Sequence, residues 1–281
     1  MFGAALSLTS CNGVGDPGVA VVPLRVVEGK PQRIVSLNLC TDQLLMQMVS
    51  HDRIRALTYL ATDPQSSGMV EEARLLPVTT GVAEQVISLD PDLVLAGTFS
   101  TRNTVAIMRR LGYNVVEFEP ESDFGGIRRN IRKMAAAVGD PERGEEMIRE
   151  IDAELARAPD APRERPIYAN YNANGFTSGN GSLITEVANL AGFETLGQSL
   201  GFAGSGQISL EQILVSRPDL IDLGDEYETP ALATENFRHP ILQRLMREQQ
   251  TINLASNQTV CGTMLTLKAL RTFVDARRRL L

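Results

Sequence analysis

The stretch AEQVISLDPDLVLAG (residues 83–97) returns in the second half of the chain as LEQILVSRPDLIDLG (residues 210–224). Identity holds at Glu84/Glu211, Gln85/Gln212, Pro91/Pro218, Asp92/Asp219, Leu93/Leu220 and Gly97/Gly224, and most other positions exchange one aliphatic residue for another. In each copy an apolar stretch after Glu-Gln reads as a short helix, Pro-Asp ends it, and an apolar run closing on Gly reads as a buried strand. Upstream of each copy lies another apolar run after an arginine, RIVSLNLC from Arg33 and RPIYANYN from Arg165. What repeats is therefore a whole α/β lobe.

Outward from the repeat, the first lobe reads as a strand at 33–39, a helix capped at Thr41-Asp42 and a second strand near 53–59. After the repeat, STRNTVAIMRRLGYNVVEF predicts a helix with Val105, Ile107, Met108 and Leu111 inside, stopped at Gly112, and a strand over 114–118. No strand is legible over 124–157. Asp140 and Pro141 instead open a helix whose stripe is Met147, Ile148, Ile151 and Leu155, continuing to about Arg157. The second lobe repeats the scheme: strand 166–171, turn-rich NANGFTSGNGS, helix 183–191, the LGQSLGFAGSG loop, the second copy, a helix at 241–248, a strand at 251–254 and a last helix from Thr263. The fold class is α/β, with two similar lobes of mainly parallel sheet joined by a single long backbone helix and a cleft between them. The organisation is a leader and tether (1–30), an N-terminal lobe (31–138), a connecting helix (139–160) and a C-terminal lobe (161–281).

Composition narrows the function. At 281 residues, with 43% hydrophobic and 22% charged residues, the chain can bury the cores of two domains. A formal net charge of −7 and no basic stripe with interleaved aromatics exclude nucleic acid as a partner. No HExxH, GxSxG, CxxC or GxxxxGK[ST] pattern occurs, so hydrolase, redox and nucleotide-triphosphate readings lack their parts. His51 and His239 have no partners at metal spacing and read as surface or capping residues, and no metal site is expected. FTSGNGSLI lacks the lysine of a phosphate loop and reads as turns needing positive φ.

The segment MFGAALSLTSC resembles the lipobox of bacterial lipoproteins, which would make Cys11 the lipidated anchor; ordinary leader sequence is the other reading, and both imply export. In an oxidising compartment Cys40 and Cys261 can either pair or remain two thiols, since their spacing carries no geometry.

Taken together, RIVSLNLCTDQLL at the first strand, PDLVLAG before a helix and FTSGNGSLITEVANLAG in the second lobe resemble the iron-siderophore and vitamin B12 family of ABC-importer substrate-binding proteins, over about residues 31–281. The resemblance implies a periplasmic, monomeric protein without cofactor or catalysis, which captures an iron chelate (siderophore or heme type) or a corrinoid. It would then deliver that cargo to a membrane permease and its ATPase. By residue-by-residue matching it implies ligand contacts at Tyr59, Thr80, Phe99, Arg102, Phe176, Ser205, Gln258 and Cys261, the last two within the matched stretch 258–262. It also implies permease docking through Glu84 and Glu211. Against that stand plainer readings: aromatics in the core, and glutamates complementing helix dipoles. Cobalamin binders of the family line the cleft with tryptophans, and this chain has none. Anionic chelates are usually met by arginines, of which only Arg102 lies in the matched segments. Asp222, Asp225 and Glu226 place acid at a strand end, read as solvated. The alternatives are a two-domain α/β enzyme working at the interdomain cleft, and a ligand sensor with the same fold.

Overall fold

The computed structural model of the chain describes residues 29–160, 162–224 and 232–280. The first half runs β1 (Ile34–Ser36), α1 (Leu39–Met48), β2 (Ile54–Thr58), α2 (Val70–Ala73), β3 (Val78–Thr79), α3 (Ala83–Ser88), β4 (Leu93–Gly97), α4 (Arg102–Arg110), β5 (Val115–Phe118), α5 (Phe124–Val138) and α6 (Pro141–Leu155). Its five strands lie in the order β3-β2-β1-β4-β5, every neighbouring pair parallel. The second half runs β6 (Ile167–Asn170), β7 (Phe176–Ser178), α7 (Leu183–Leu190), β8 (Glu194–Thr195), α8 (Leu196–Ser199), β9 (Ser205–Gln207), α9 (Leu210–Ser216), β10 (Leu220–Asp222), α10 (Pro240–Glu248), β11 (Gln250–Ile252) and α11 (Thr266–Leu280). It holds a parallel sheet β11-β10-β6-β8 and an antiparallel two-stranded ribbon, β7-β9. The two-lobed α/β class read from the sequence is the class observed.

The repeated words are structural joints. In both copies the aspartate of Pro-Asp accepts the backbone amide that opens the neighbouring central strand. Asp92 takes those of Gln32 and Arg33 at 2.8 and 2.9 Å, and Asp219 takes that of Ile167 at 2.7 Å. The glutamine reaches back past the helix start, Gln85 Oε1 accepting from the Thr80 amide (3.1 Å) in the chain entering α3 and Gln212 Oε1 from the Ser209 amide (2.8 Å), the latter closing a capping box. The closing glycine is forced by an asparagine beside it. A Cβ at Gly97 would stand 2.9 Å from Asn38 Nδ2, and one at Gly224 2.5 Å from Asn172 Oδ1. Glu84 and Glu211 take no part in these joints.

Three readings of the sequence are corrected. The cap of α1 is Asn38, whose side chain accepts from the amides of Cys40 and Thr41, because the chain turns into helix directly after β1. In α4 only Val105 and Met108 of the four expected core residues are buried; Ile107 and Leu111 are about two-fifths exposed. Asp140 stands at the N-cap position of α6 without capping it, its carboxylate being taken by Arg53 (2.8 Å) and Lys30. The lysine and arginine hold that carboxyl below its usual range.

Helices α5 and α6 pack on each other, separated by Gly139 in the left-handed region (φ 76°). One apolar cluster runs through both halves, from Leu45 and Leu95 of the first through Met134 of α5 and Ile148 and Ile151 of α6 to Tyr168 and Phe273 of the second. A shared core resists large rigid-body separation, since each half would expose part of it. No helix among the described residues is long and apolar enough to cross a membrane.

Asp42, fully buried in α1, accepts from the Thr58 amide (3.1 Å) and hydroxyl (2.5 Å), yet burial pushes its carboxyl up to about 7. The folded protein then holds this proton more tightly than the unfolded chain, so unfolding releases it and stability falls as pH rises from about 4 to about 7. The expected loss is at most about 4 kcal/mol, flat above that window. Asp42→Asn should remove this component, so that the stability difference between variant and wild type, from urea midpoints at pH 5 and 7.5, moves in the variant's favour at the higher pH. A difference independent of pH would contradict it.

Candidate functional site

In a parallel sheet the strand order reverses where chain connections leave in opposite directions, and the crevice beyond the carboxyl ends of those strands is open to a ligand. The reversal lies between β1 and β4 in the first sheet and between β6 and β10 in the second. A hollow of about 220 Å³ stands at each of these two points. Val260, on the segment leading to α11, lines both hollows, so they adjoin across the same strip of chain.

The first hollow is largely apolar. Phe99 follows β4 and is 70% exposed; Phe118, Pro120, Leu44 and Val260 complete the apolar wall. The Arg102 guanidinium lies 5.7 Å from the Phe99 ring centre, within cation–π reach. Asn38, Thr41 and Ser100 supply polar atoms, but the Asn38 amide is already committed to Ser100 (3.3 Å). Two acids, Glu119 and Glu121, stand past the end of β5. Burial raises the Glu121 carboxyl above its usual range, opposed by bonds from the Asn130 side chain and from the backbone amide of Gly262 in the other half.

The second hollow is polar. Asn170 accepts from Thr177 Oγ1 (2.9 Å) and the Ser178 amide (3.1 Å), which ties the end of β6 to β7. Asn172, Ser178, Ser182, Ser256 and Thr259 face the same space. Asp222 lies beneath them, 2% exposed, its carboxylate accepting from Tyr168 Oη (3.0 Å) and the amides of Gly224 (3.0 Å) and Leu254 (3.3 Å). This corrects the reading of Asp222 as a solvated acid: it joins the ends of β6, β10 and β11 from inside. Asp225 and Glu226 lie outside the described residues, as does Cys11.

Cys40 of α1 and Cys261 are joined as a disulfide, Cα atoms 5.0 Å apart. Cys40 lines the first hollow; Cys261 is fully buried. Alongside, Gln47, seven residues on from Cys40 on the same face of α1, accepts the Met264 amide (3.3 Å), so this helix face is fastened to the segment 261–264.

The remaining sequence-expected contacts are spread more widely. Tyr59, 55% exposed, sits past the end of β2 on the same carboxyl edge, and Thr80 past β3 gives both its amide and its hydroxyl to Gln85. Phe176, 44% exposed, and Ser178 share one face of the β7-β9 ribbon with Ser205, which pairs opposite Ser178. Gln258 lines a different hollow, between residues 67–72 and 255–268. The residues that sequence reasoning missed, Asn38, Ser100, Glu119 and Glu121 in one half and Asn170, Asn172 and Ser182 in the other, all stand at or just past the carboxyl end of a strand or at a helix start. For most of them the signal available was a place within three residues of the end of an apolar run.

Helices α3 and α9 each lead into a strand that runs back parallel to its neighbours, so their N-termini lie toward the carboxyl edges of the sheets. Glu84 and Glu211, each the second residue of its helix, are exposed there. The Ser209 hydroxyl holds the Glu211 carboxyl below its usual range.

Residues 34–250 match the family described as periplasmic binding protein. The chain is 25% identical over 204 residues to the cobalamin-binding protein of Halobacterium salinarum, a match covering 70% of this chain and 55% of that protein's length. It is 22% identical over 217 residues to an uncharacterized ABC transporter substrate-binding lipoprotein, YvrC, of Bacillus subtilis, covering 73% of this chain and 68% of the relative. In structure it resembles the apo form of the periplasmic heme-binding protein RhuT of Roseiflexus sp. RS-1, with a TM-score of 0.69, 22% identity, and coverage of 87% of this chain and 98% of that one.

Proposed function

The chain belongs to the periplasmic binding protein family, and on that premise we propose that it is the substrate-binding protein of an ABC importer. It captures a metal chelate, either an iron chelate of siderophore or heme type or a corrinoid, and hands it to a membrane permease. The observation that carries this reading is the pairing of two hollows, one at each sheet's reversal point, with Val260 common to both. A site built from both halves suits a ligand held by two walls at once. The relatives named for cobalamin and heme support the ligand class, and the one named as a lipoprotein supports export with Cys11 as an anchor.

In this role the protein holds its ligand without changing it. Phe99, with the Arg102 guanidinium 5.7 Å from its ring centre, offers a flat apolar surface to a macrocycle, while Asn172, Ser178 and Ser182 meet polar groups on its rim. Tyr59, Phe176 and Ser205 widen the contact along the carboxyl edge. Glu84 and Glu211 meet the permease, and the protein acts as a monomer.

The test is an equilibrium titration with cobinamide, hemin and a ferric hydroxamate, followed by recovery of each chelate and mass analysis. One molecule of at least one chelate should bind per chain and return unchanged. Binding of none, or chemical conversion of the bound one, would overturn the proposal.

A further inference from the structure

Resting on the binding-protein reading, we infer that the cleft selects its chelate by rim charge, accepting a periphery of uncharged amides or hydroxyls and rejecting a periphery of carboxylates. The described residues that line the two hollows include no lysine, arginine or histidine. The second hollow offers amide and hydroxyl groups, Asn170, Asn172, Ser178 and Ser182 among them, which can donate to and accept from an amide equally well. The first hollow adds Glu119 and Glu121 at its edge. A rim carboxylate would meet these acids in a partly desolvated space, where like charge is costly, and would gain no charged donor from the opposite wall.

Two cations stand close by, each over a ring of the first hollow's wall, and neither is among the residues that line the hollows. Arg102 lies over Phe99, and the Lys133 ammonium 5.4 Å from the centre of the Phe118 ring. Glu121 is held at this wall by the Asn130 side-chain amide, so it is fixed in place rather than free to swing away. A rim amide, in contrast, can donate its N–H to a glutamate and its carbonyl can accept from the serine hydroxyls.

The experiment compares two corrinoids that share a macrocycle and differ in rim charge: cobinamide, rimmed with carboxamides, and cobyrinic acid, rimmed with carboxylates. Hemin, also carboxylate-rimmed, and a neutral ferric hydroxamate form a second pair. In each pair the uncharged rim should bind at least about 100-fold more tightly at low salt, and added salt should narrow the gap by strengthening the carboxylate form. Glu119→Gln, at an exposed position, should reduce the discrimination several-fold, and Glu119→Gln with Glu121→Gln should reduce it further, chiefly by tightening the carboxylate-rimmed member. Equal or tighter binding of the carboxylate-rimmed member would overturn charge selection while leaving the binding-protein reading in place. Binding of none of the four would overturn that reading and this inference with it.

Discussion

Replacing Cys40 and Cys261 together by serine should lower the free energy of unfolding by about 4 kcal/mol and the melting temperature by about 10 °C. The bridge closes a loop of 221 residues, nearly the whole described chain, so the unfolded chain gains much freedom when it is cut. The same cross-link ties α1 of the first half to the segment before α11 in the second, beside the Gln47 to Met264 hydrogen bond. A second effect should follow at the site. Cys40 and Val260 both border the first hollow, and loosening the strip that carries them should weaken chelate binding, mostly through faster release. Peptide mapping after alkylation of the unreduced protein checks the premise, and urea unfolding of the double variant checks the size. Free thiols at both positions, or an unchanged urea midpoint, would contradict the account.

Much of this fold could be read from one repeated phrase because each of its words has a local job. Asp92 and Asp219 bind strand-opening amides, Gln85 and Gln212 reach back to the chain that enters their helices, and Gly97 and Gly224 leave room for Asn38 and Asn172. Such jobs need the same residue in both halves, so they survive as identity. Where the reading failed, the deciding partner was distant in sequence. Asp42 looked like a cap but is drawn inward by Thr58 of β2. Asp140 looked like a cap but answers Arg53, which is itself buried and bonded to the carbonyls of Pro31 and Val138. Helix α5 went unread because it opens on Phe-Gly-Gly and carries Arg128, Arg129, Arg132 and Lys133, a pattern that hides its buried stripe of Ile127, Ile131, Met134 and Val138. Ile107 and Leu111 follow helical spacing, yet α4 buries only a narrow face.

The site was legible in part for the same reason. Phe99 stands just past the repeat strand and lines the first hollow, where the resemblance placed it. The polar wall of the second hollow was not legible, because Asn170, Asn172 and Ser182 are brought together only once β6 lies beside β10 and β7 folds back against β9. Turn-rich sequence gives the same composition whether it forms a binding wall or a solvated loop. What separates them is which strand ends become neighbours, and that is a property of the sheet order.

Delivery to a permease is the central proposed role, and the duplicated glutamates give the sharpest handle on it. In vesicles carrying the cognate ABC permease and supplied with ATP, the chelate that binds best in the titration should accumulate only when this protein is present. On the proposed docking role, Glu84→Lys or Glu211→Lys alone should cut that uptake about tenfold and the double reversal about 100-fold, because each reverses a charge that this role sets against the permease. Chelate affinity should change by less than about twofold, since both glutamates lie outside the hollows, and unfolding free energy by less than about 0.5 kcal/mol, since both are exposed. Uptake by the double-reversed protein is therefore the measurement to make: near-complete loss with binding intact is the predicted result, and uptake equal to wild type, or uptake that never required the protein, is the result that would contradict it.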